Sequence, residues 1–280
     1  MPAKILDGKL LSQEIRHNLE ETISRLNQKP GLAFIQVGED PASTIYVNLK
    51  NKACKEIGIY SELYRLQTST QDEELLSLID KLNARNDIHG ILIQLPLPSH
   101  IDTYRALDSI SPSKDVDGLN SINVGYLHQG RKCLVPATPK GIIRLLEYYN
   151  IELDGKTAVV IGRSNLVGRP IAELLTQKNA TVTLCHSRTS LLHDITRNAD
   201  ILVSAVGSHN FIKKEMLREG VVIIDVGISK LEDKIVGDVD FENVKEIASY
   251  ITPVPGGIGP MTIAMVLENT LEAYNKLSLL

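Results

Sequence analysis

The sequence predicts an α/β protein of two domains, the second of them Rossmann-like. Three observations carry this. Strand-like and helix-like patterns alternate along both halves of the 280-residue chain, the order that builds parallel sheets covered by helices. A loop-like stretch, SPSKDVDGLNSINVGYL and then KCLVPATP, separates the two series. The second series opens on VVIGRSNLVGRP at 159–170, a strand that runs through a glycine into a helix-like segment, as a dinucleotide-binding turn does.

In the first series, Leu10, Leu11, Ile15, Leu19, Ile23 and Leu26 recur at helical spacing over 8–27. LAFIQVG (32–38) reads as a buried strand. PASTIYVNLKNKACKEIG (41–58) follows as a helix stopped by Gly58. YSELYRL is a second strand, Thr70 and Glu73 form a capping box for the helix LLSLIDKL, and IHGILIQLPLP is a third strand ended by prolines. In the second series, Thr138 as N-cap and Pro139 at the first helical position open KGIIRLLEYYN. Strands are expected near 157–162, 181–185, 200–204 and 221–226, and a last helix from Thr262 to about Lys276. The expected domains are therefore 1–137, joined by the terminal helix 262–280, and 138–261.

Composition narrows the function classes. A hydrophobic content of 43% and a net charge of -4 suit a globular protein and argue against a broad nucleic-acid surface. Apolar runs such as VVII (221–224) are far too short to span a bilayer. Asp7 and Glu14 stand where a signal peptide would be apolar. Cys54, Cys133 and Cys185 are odd in number and far apart, which points to free thiols in a reducing compartment, the cytoplasm. No Cys/His group has zinc-ligand spacing, so no metal is expected.

The glycine turn departs from the usual G-x-G-x-x-G. Gly162 can supply the tight turn and Gly168 the close helix–strand packing, but Ser164 stands at the middle glycine. A phosphate there would sit further off or meet the hydroxyl. A Walker loop is excluded, because Gly168 is followed by Arg169 and Pro170. NAD sites place an acid about 20 residues on, for the ribose 2′-hydroxyl. The second strand here ends TVTLCHSRT, with Ser187 and Arg188 and no carboxylate, and Arg163 lies in the turn itself. Guanidinium and hydroxyl groups suit a 2′-phosphate, so the expected cofactor is NADP. Either arginine alone could equally be a solvated loop residue.

Other residues are less decisive by themselves. Tyr46 and Lys50 are four apart on one helix face, and spacing alone reads as a surface lysine over a half-buried tyrosine. Gln94 ends an apolar strand, where it could cap the strand or face a ligand. Asp115 and Asp117 precede Gly118, a pattern shared by Asx turns. PVPGGIGP (253–260) is either a stiff connection or a place where a flat ligand approaches backbone.

Taken together, these stretches resemble the bifunctional methylenetetrahydrofolate dehydrogenase/methenyltetrahydrofolate cyclohydrolases. The resemblance rests on PAS-IYV--K-KAC--IG at 41–58, GILIQLPLP at 90–98, KDVDGLNSINVG at 114–125, VVIGRSNLVGRP at 159–170 and ITPVPGGIGPMT at 251–262. Ala137 departs from it, since many relatives carry Cys before Thr-Pro; a small buried residue can replace a non-catalytic Cys. The resemblance implies NADP-dependent oxidation of 5,10-methylenetetrahydrofolate, then hydrolysis to 10-formyltetrahydrofolate, by a homodimer. A monofunctional NADP dehydrogenase of the same fold is the rival. It also implies roles. Lys50 would be the acid/base of hydrolysis, Tyr46 would stack on or orient the folate, Gln94 would tune Lys50, and Asp117 would accept from the pterin N–H groups. Pro255, Gly256 and Gly257 would line the folate cleft. Gly162, Arg163, Ser164, Ser187, Arg188 and the backbone at Ile228 would hold NADP.

Overall fold

The computed structural model describes residues 2–232 and 234–278. In chain order the elements begin with β1 (Lys4–Ile5), α1 (Gly8–Ser24), β2 (Gly31–Val37), α2 (Pro41–Glu56), β3 (Tyr60–Leu66), α3 (Asp72–Ala84) and β4 (Gly90–Ile93). There follow α4 (Thr103–Ser109), α5 (Ser121–His128), α6 (Ala137–Tyr148), β5 (Thr157–Ile161), α7 (Gly168–Gln177), β6 (Thr181–Cys185), α8 (Leu192–Thr196) and β7 (Ile201–Ser204). The chain closes with β8 (Val222–Asp225), β9 (Ser229–Leu231), β10 (Lys234–Val236), α9 (Phe241–Val244), β11 (Tyr250–Ile251) and α10 (Ile258–Leu277). Two compact units result: a first of Gln13–Ala137 with Ile263–Leu280, and a second of Met1–Ser12 with Thr138–Thr262.

The first unit holds a three-stranded parallel sheet in the order β3-β2-β4. All seven residues of β2 are buried, as a central parallel strand with both faces covered requires. Ala33, Ile35 and Val37 share one core with Leu75, Ile79 and Leu82 of α3 and Ala106 and Leu107 of α4. Helix α2 is started by Asp40, whose Oδ2 accepts the Ser43 N–H at 2.7 Å, with Pro41 in the first turn. Gly58 follows it at φ +81°, so the expected glycine stop is present.

Several local expectations are corrected. The capping box of Thr70 and Glu73 does not form: Gln71 is the N-cap of α3 without a side-chain bond, because the Thr70 N–H is tied into a turn on the Gln67 carbonyl at 3.0 Å. Leu10 lies exposed at 53% while Leu11, Ile15, Leu19 and Ile23 are buried; neighbouring residues on a helix point about 100° apart. The loop-like 111–137 contains α5, capped by the Asn120 side chain, which accepts the Ile122 N–H at 2.9 Å. The helix before β5 already includes Ala137, so Thr138 is inside its first turn, and its hydroxyl bonds that of Thr262 at 2.8 Å. The last helix starts at Ile258, ahead of Thr262, with Pro260 in a first turn that needs no N–H from it.

The second unit is built on a six-stranded sheet, β1-β11-β8-β7-β5-β6, with every pairing parallel. Residues 4 and 5, assigned to the first domain on sequence, pair with Tyr250 and Ile251 here. Strand β5 lies between β6 and β7. The chain leaves β5 to one side and returns to the other, so the strand order reverses there, and the carboxyl end of β5 is a switch point of the kind that binds ligands. Hairpin β9-β10 is antiparallel and follows β8. Among the described residues no helix is long and apolar enough to cross a membrane.

Candidate active site and cofactor turn

In the first unit, α2 carries Lys50 on the side that buries Val47, Ala53 and Cys54, and Lys50 itself is only 7% exposed. Its Nζ donates to Gln94 Oε1 at 3.1 Å. Gln94 is fixed in turn: its backbone N–H bonds the Ile35 carbonyl at 2.8 Å and its Nε2 donates to the Leu95 carbonyl at 2.9 Å. Burial pushes the Lys50 ammonium below the usual lysine range, and attraction to Asp117 opposes this. The surface-lysine reading of spacing is therefore corrected. The Asp117 carboxyl is raised by desolvation and pulled back by Lys50. Tyr46, one turn earlier, is half-buried, and its phenol is raised by burial. Cys54, one turn later, is pushed up to about 12, mainly by burial, so it stays a thiol.

The loop that presents Asp117 is held by residues whose importance the sequence did not disclose. Asp115 Oδ2 accepts from the Asn120 backbone N–H and from Asn123 Nδ2, both at 2.8 Å. Lys114 Nζ donates to the carbonyls of Asn83 at 2.8 Å and Arg85 at 2.7 Å, closing the end of α3. Asn269 Nδ2 on α10 donates to Val116 and Val135 carbonyls, both at 2.8 Å. Of the two aspartates before Gly118, one shapes the loop and the other shares the Lys50 environment. An Asp beside Asn at the next helix start is the only local signal for this.

In the second unit, Gly162 follows β5 at φ +112°, and a Cβ there would stand 2.3 Å from the Ala205 carbonyl oxygen. A Cβ on Gly168 would stand 1.9 Å from the Gly162 carbonyl oxygen. Both glycines are thus required, and together they aim the first turn of α7 at the switch point. Ser164 Oγ accepts the Val167 and Gly168 N–H groups at 3.2 and 3.4 Å. Its oxygen is taken by the helix start, which leaves its proton to donate. Arg163, Ser187 and Arg188 are exposed, and among the described residues neither guanidinium pairs with a carboxylate. A left-handed glycine at a strand-to-helix switch point and exposed cations fit a phosphorylated dinucleotide. Pro255, Gly256 and Gly257 belong to this unit: the Gly257 N–H bonds the Pro253 carbonyl and the Lys9 N–H bonds that of Gly256, each at 2.8 Å. Ile228 is exposed after Gly227. Among the described residues no His, Cys, Asp or Glu cluster could hold a metal ion.

A dinucleotide turn on one unit and a buried, amide-bonded lysine on the other define a two-domain, dinucleotide-dependent enzyme. The chain belongs to the tetrahydrofolate dehydrogenase/cyclohydrolase family. Its catalytic-domain model matches residues 6–117 and its NAD(P)-binding-domain model residues 136–278. The bifunctional protein FolD of Moorella thermoacetica is 55% identical, covering 99% of this chain and 100% of that one. The bifunctional FolD methylenetetrahydrofolate dehydrogenase/cyclohydrolase of Campylobacter jejuni superposes at a TM-score of 0.97, with 50% identity, 98% of this chain and 99% of that chain. The dehydrogenase-cyclohydrolase of Trypanosoma brucei, solved with NADP and an inhibitor, gives 0.94 at 38% identity, covering 99% and 98%.

Proposed function

We propose that this protein oxidises 5,10-methylenetetrahydrofolate with NADP and hydrolyses the methenyl product to 10-formyltetrahydrofolate. Family membership over both halves supports the pair of activities. The observation that carries the hydrolytic half is the buried Lys50 with its Gln94 bond, which a monofunctional dehydrogenase would not need.

The carbon oxidised lies between two nitrogens whose lone pairs stabilise the resulting cation, so the first step needs no general base. Bound NADP supplies the hydride acceptor. The chain's task is alignment: Tyr46 orients the folate, Asp117 accepts from the pterin N–H groups, and Pro255, Gly256 and Gly257 line its path. Gly162, Arg163, Ser164, Ser187, Arg188 and the backbone at Ile228 hold the cofactor.

In the second step water attacks the methenyl carbon. One of the water's protons passes to the Lys50 amine and from there to the pterin nitrogen, the bond from that carbon to that nitrogen breaks, and the remaining hydroxyl proton leaves to solvent as the formyl carbonyl forms. Burial lowers the Lys50 pKa, which shifts the balance towards the free amine that begins this. Gln94 fixes the Nζ direction.

The same reading places the enzyme in the cytosol, in keeping with three free, buried cysteines, and makes it a homodimer that binds neither nucleic acid nor membrane. Strand β6 is an open sheet edge with Leu184 exposed, a surface that a second copy would cover. Hydrolysis of methenyltetrahydrofolate by the purified protein without cofactor tests the bifunctional reading; its absence beside intact dehydrogenase activity would leave the monofunctional one. Sedimentation equilibrium tests the dimer.

A further inference from the structure

Asp225 and Asp238 are buried carboxylates, 3% and 0% exposed, and among the described residues neither forms an ion pair. They are satisfied by donors instead. Asp225 Oδ1 accepts the N–H groups of Gly227 at 2.9 Å and Asp238 at 3.0 Å, and its Oδ2 that of Val239 at 3.0 Å. Asp238 Oδ2 accepts Ser204 Oγ and the Val206 N–H, and its Oδ1 the Ser208 N–H, each at 2.8 Å. The glycines interlock with them. A Cβ on Gly227 would stand 2.0 Å from Asp238 Oδ1, and one on Gly237 2.0 Å from Asp225 Oδ2. Each Asp thus occupies the space that the glycine beside the other leaves open.

This lock ties down the carboxyl ends of β7 and β8, next to the switch point. One loop it holds, 205–208, contains the carbonyl against which Gly162 is packed. The other, 226–228, ends at Ile228. The Asp225 N–H also donates to Thr252 Oγ1 at 2.7 Å, joining the lock to the strand end before Pro253. We infer that Asp225 and Asp238 are positioning residues for the cofactor, fixing loops 205–208 and 226–228 in the shape that accepts NADP. The inference rests on the reading that Gly162, Arg163 and Ile228 hold NADP.

Asp238→Asn is the discriminating change. It keeps the volume, yet whichever way its amide turns, an NH2 group opposes a backbone N–H, either that of Ser208 or that of Val206. The experiment measures NADP binding at equilibrium by titration calorimetry, and cofactor-free hydrolysis of methenyltetrahydrofolate, for wild type, Asp238→Asn, Ser204→Ala and Arg163→Ala. The expected result for Asp238→Asn is a Kd for NADP raised about 10-fold or more, with hydrolysis within about twofold of wild type. Ser204→Ala, which removes one donor, should raise Kd roughly threefold, again with hydrolysis kept, and it decides the matter if Asp238→Asn fails to fold. Unchanged NADP affinity in the folded variants overturns the inference; Arg163→Ala then shows whether the cofactor site stands, if it weakens NADP, or falls too, if it does not. Parallel loss of binding and hydrolysis in Ser204→Ala overturns it as well, since that is the signature of general destabilisation.

Discussion

Lys50 Nζ and Gln94 Oε1 stand 3.1 Å apart, joining the middle of helix α2 to the end of strand β4 inside one unit. Both partners are immobilised, the lysine by burial and Gln94 by its backbone N–H on the Ile35 carbonyl and its Nε2 on the Leu95 carbonyl. The amine therefore has a fixed direction and a lowered affinity for its proton, the two properties a proton-transfer group needs.

Replacing Gln94 by Glu should undo the second property. A carboxylate beside Nζ stabilises the ammonium, so the Lys50 pKa rises. Hydrolysis near neutral pH should fall about 10-fold or more, and the rising limb of the kcat–pH profile should move to higher pH. A profile that keeps its midpoint would show that Gln94 does not tune Lys50.

Stability should depend on pH through Asp115. Burial raises this carboxyl from 3.8 to about 6 in the folded chain, against its bonds from Asn123 and Asn120. The folded state then holds the proton more tightly than the unfolded state. Its stabilising effect is full below about pH 4 and is lost as pH rises towards 6. The difference between 3.8 and about 6 is worth about 3 kcal/mol, to order of magnitude. Denaturant titrations of wild type and Asp115→Asn at pH 4, 5, 6 and 7 should show the wild type losing ground to the variant up to about pH 6 and not beyond. A difference independent of pH would contradict this.

Gly162→Ala should damage the cofactor turn. The position has φ +112° and its Cβ would press on the Ala205 carbonyl oxygen. The expected cost is roughly 1–3 kcal/mol of stability, with NADP affinity reduced about 10-fold or more. Thermal denaturation and a binding titration check the two halves.

Removing both guanidinium groups, in Arg163→Ala with Arg188→Ala, should weaken NADP far more than NAD. Charge-assisted bonds to a 2′-phosphate are worth about 1.5–3 kcal/mol each, so losing two should lower the preference roughly 100-fold or more. Equal weakening of both cofactors would place the 2′-phosphate elsewhere.

Those features that follow from local pattern were legible before any coordinates. A buried parallel strand such as 31–37 is an apolar run broken only by Gln36, and the alternation of strand and helix patterns points to parallel sheets. The two-residue strands β1 and β11 were not legible, because they exist only through pairing with each other and β8. Helix α5 was hidden by its composition, since SINVGYLH has a central glycine and no apolar stripe. At the site, Lys50 and Gln94 were singled out, but spacing alone put Lys50 at the surface. Its burial comes from the packing of α2 against the sheet. The supports of Asp117 escaped notice for a simpler reason: Asn269 reaches the Val116 carbonyl from 153 residues away. Asp225 and Asp238 escaped similarly, as each looks like an ordinary turn residue until the other is seen beside it.

On the proposed function, Lys50 serves hydrolysis and not hydride transfer. Lys50→Met, which keeps the stem and deletes the amine, tests it most directly, with both activities measured on the same folded preparation. Hydrolysis should fall roughly 100-fold or more while a measurable share of NADP reduction from methylenetetrahydrofolate persists. Equal loss of the two activities, or hydrolysis that survives without the amine, would contradict the account.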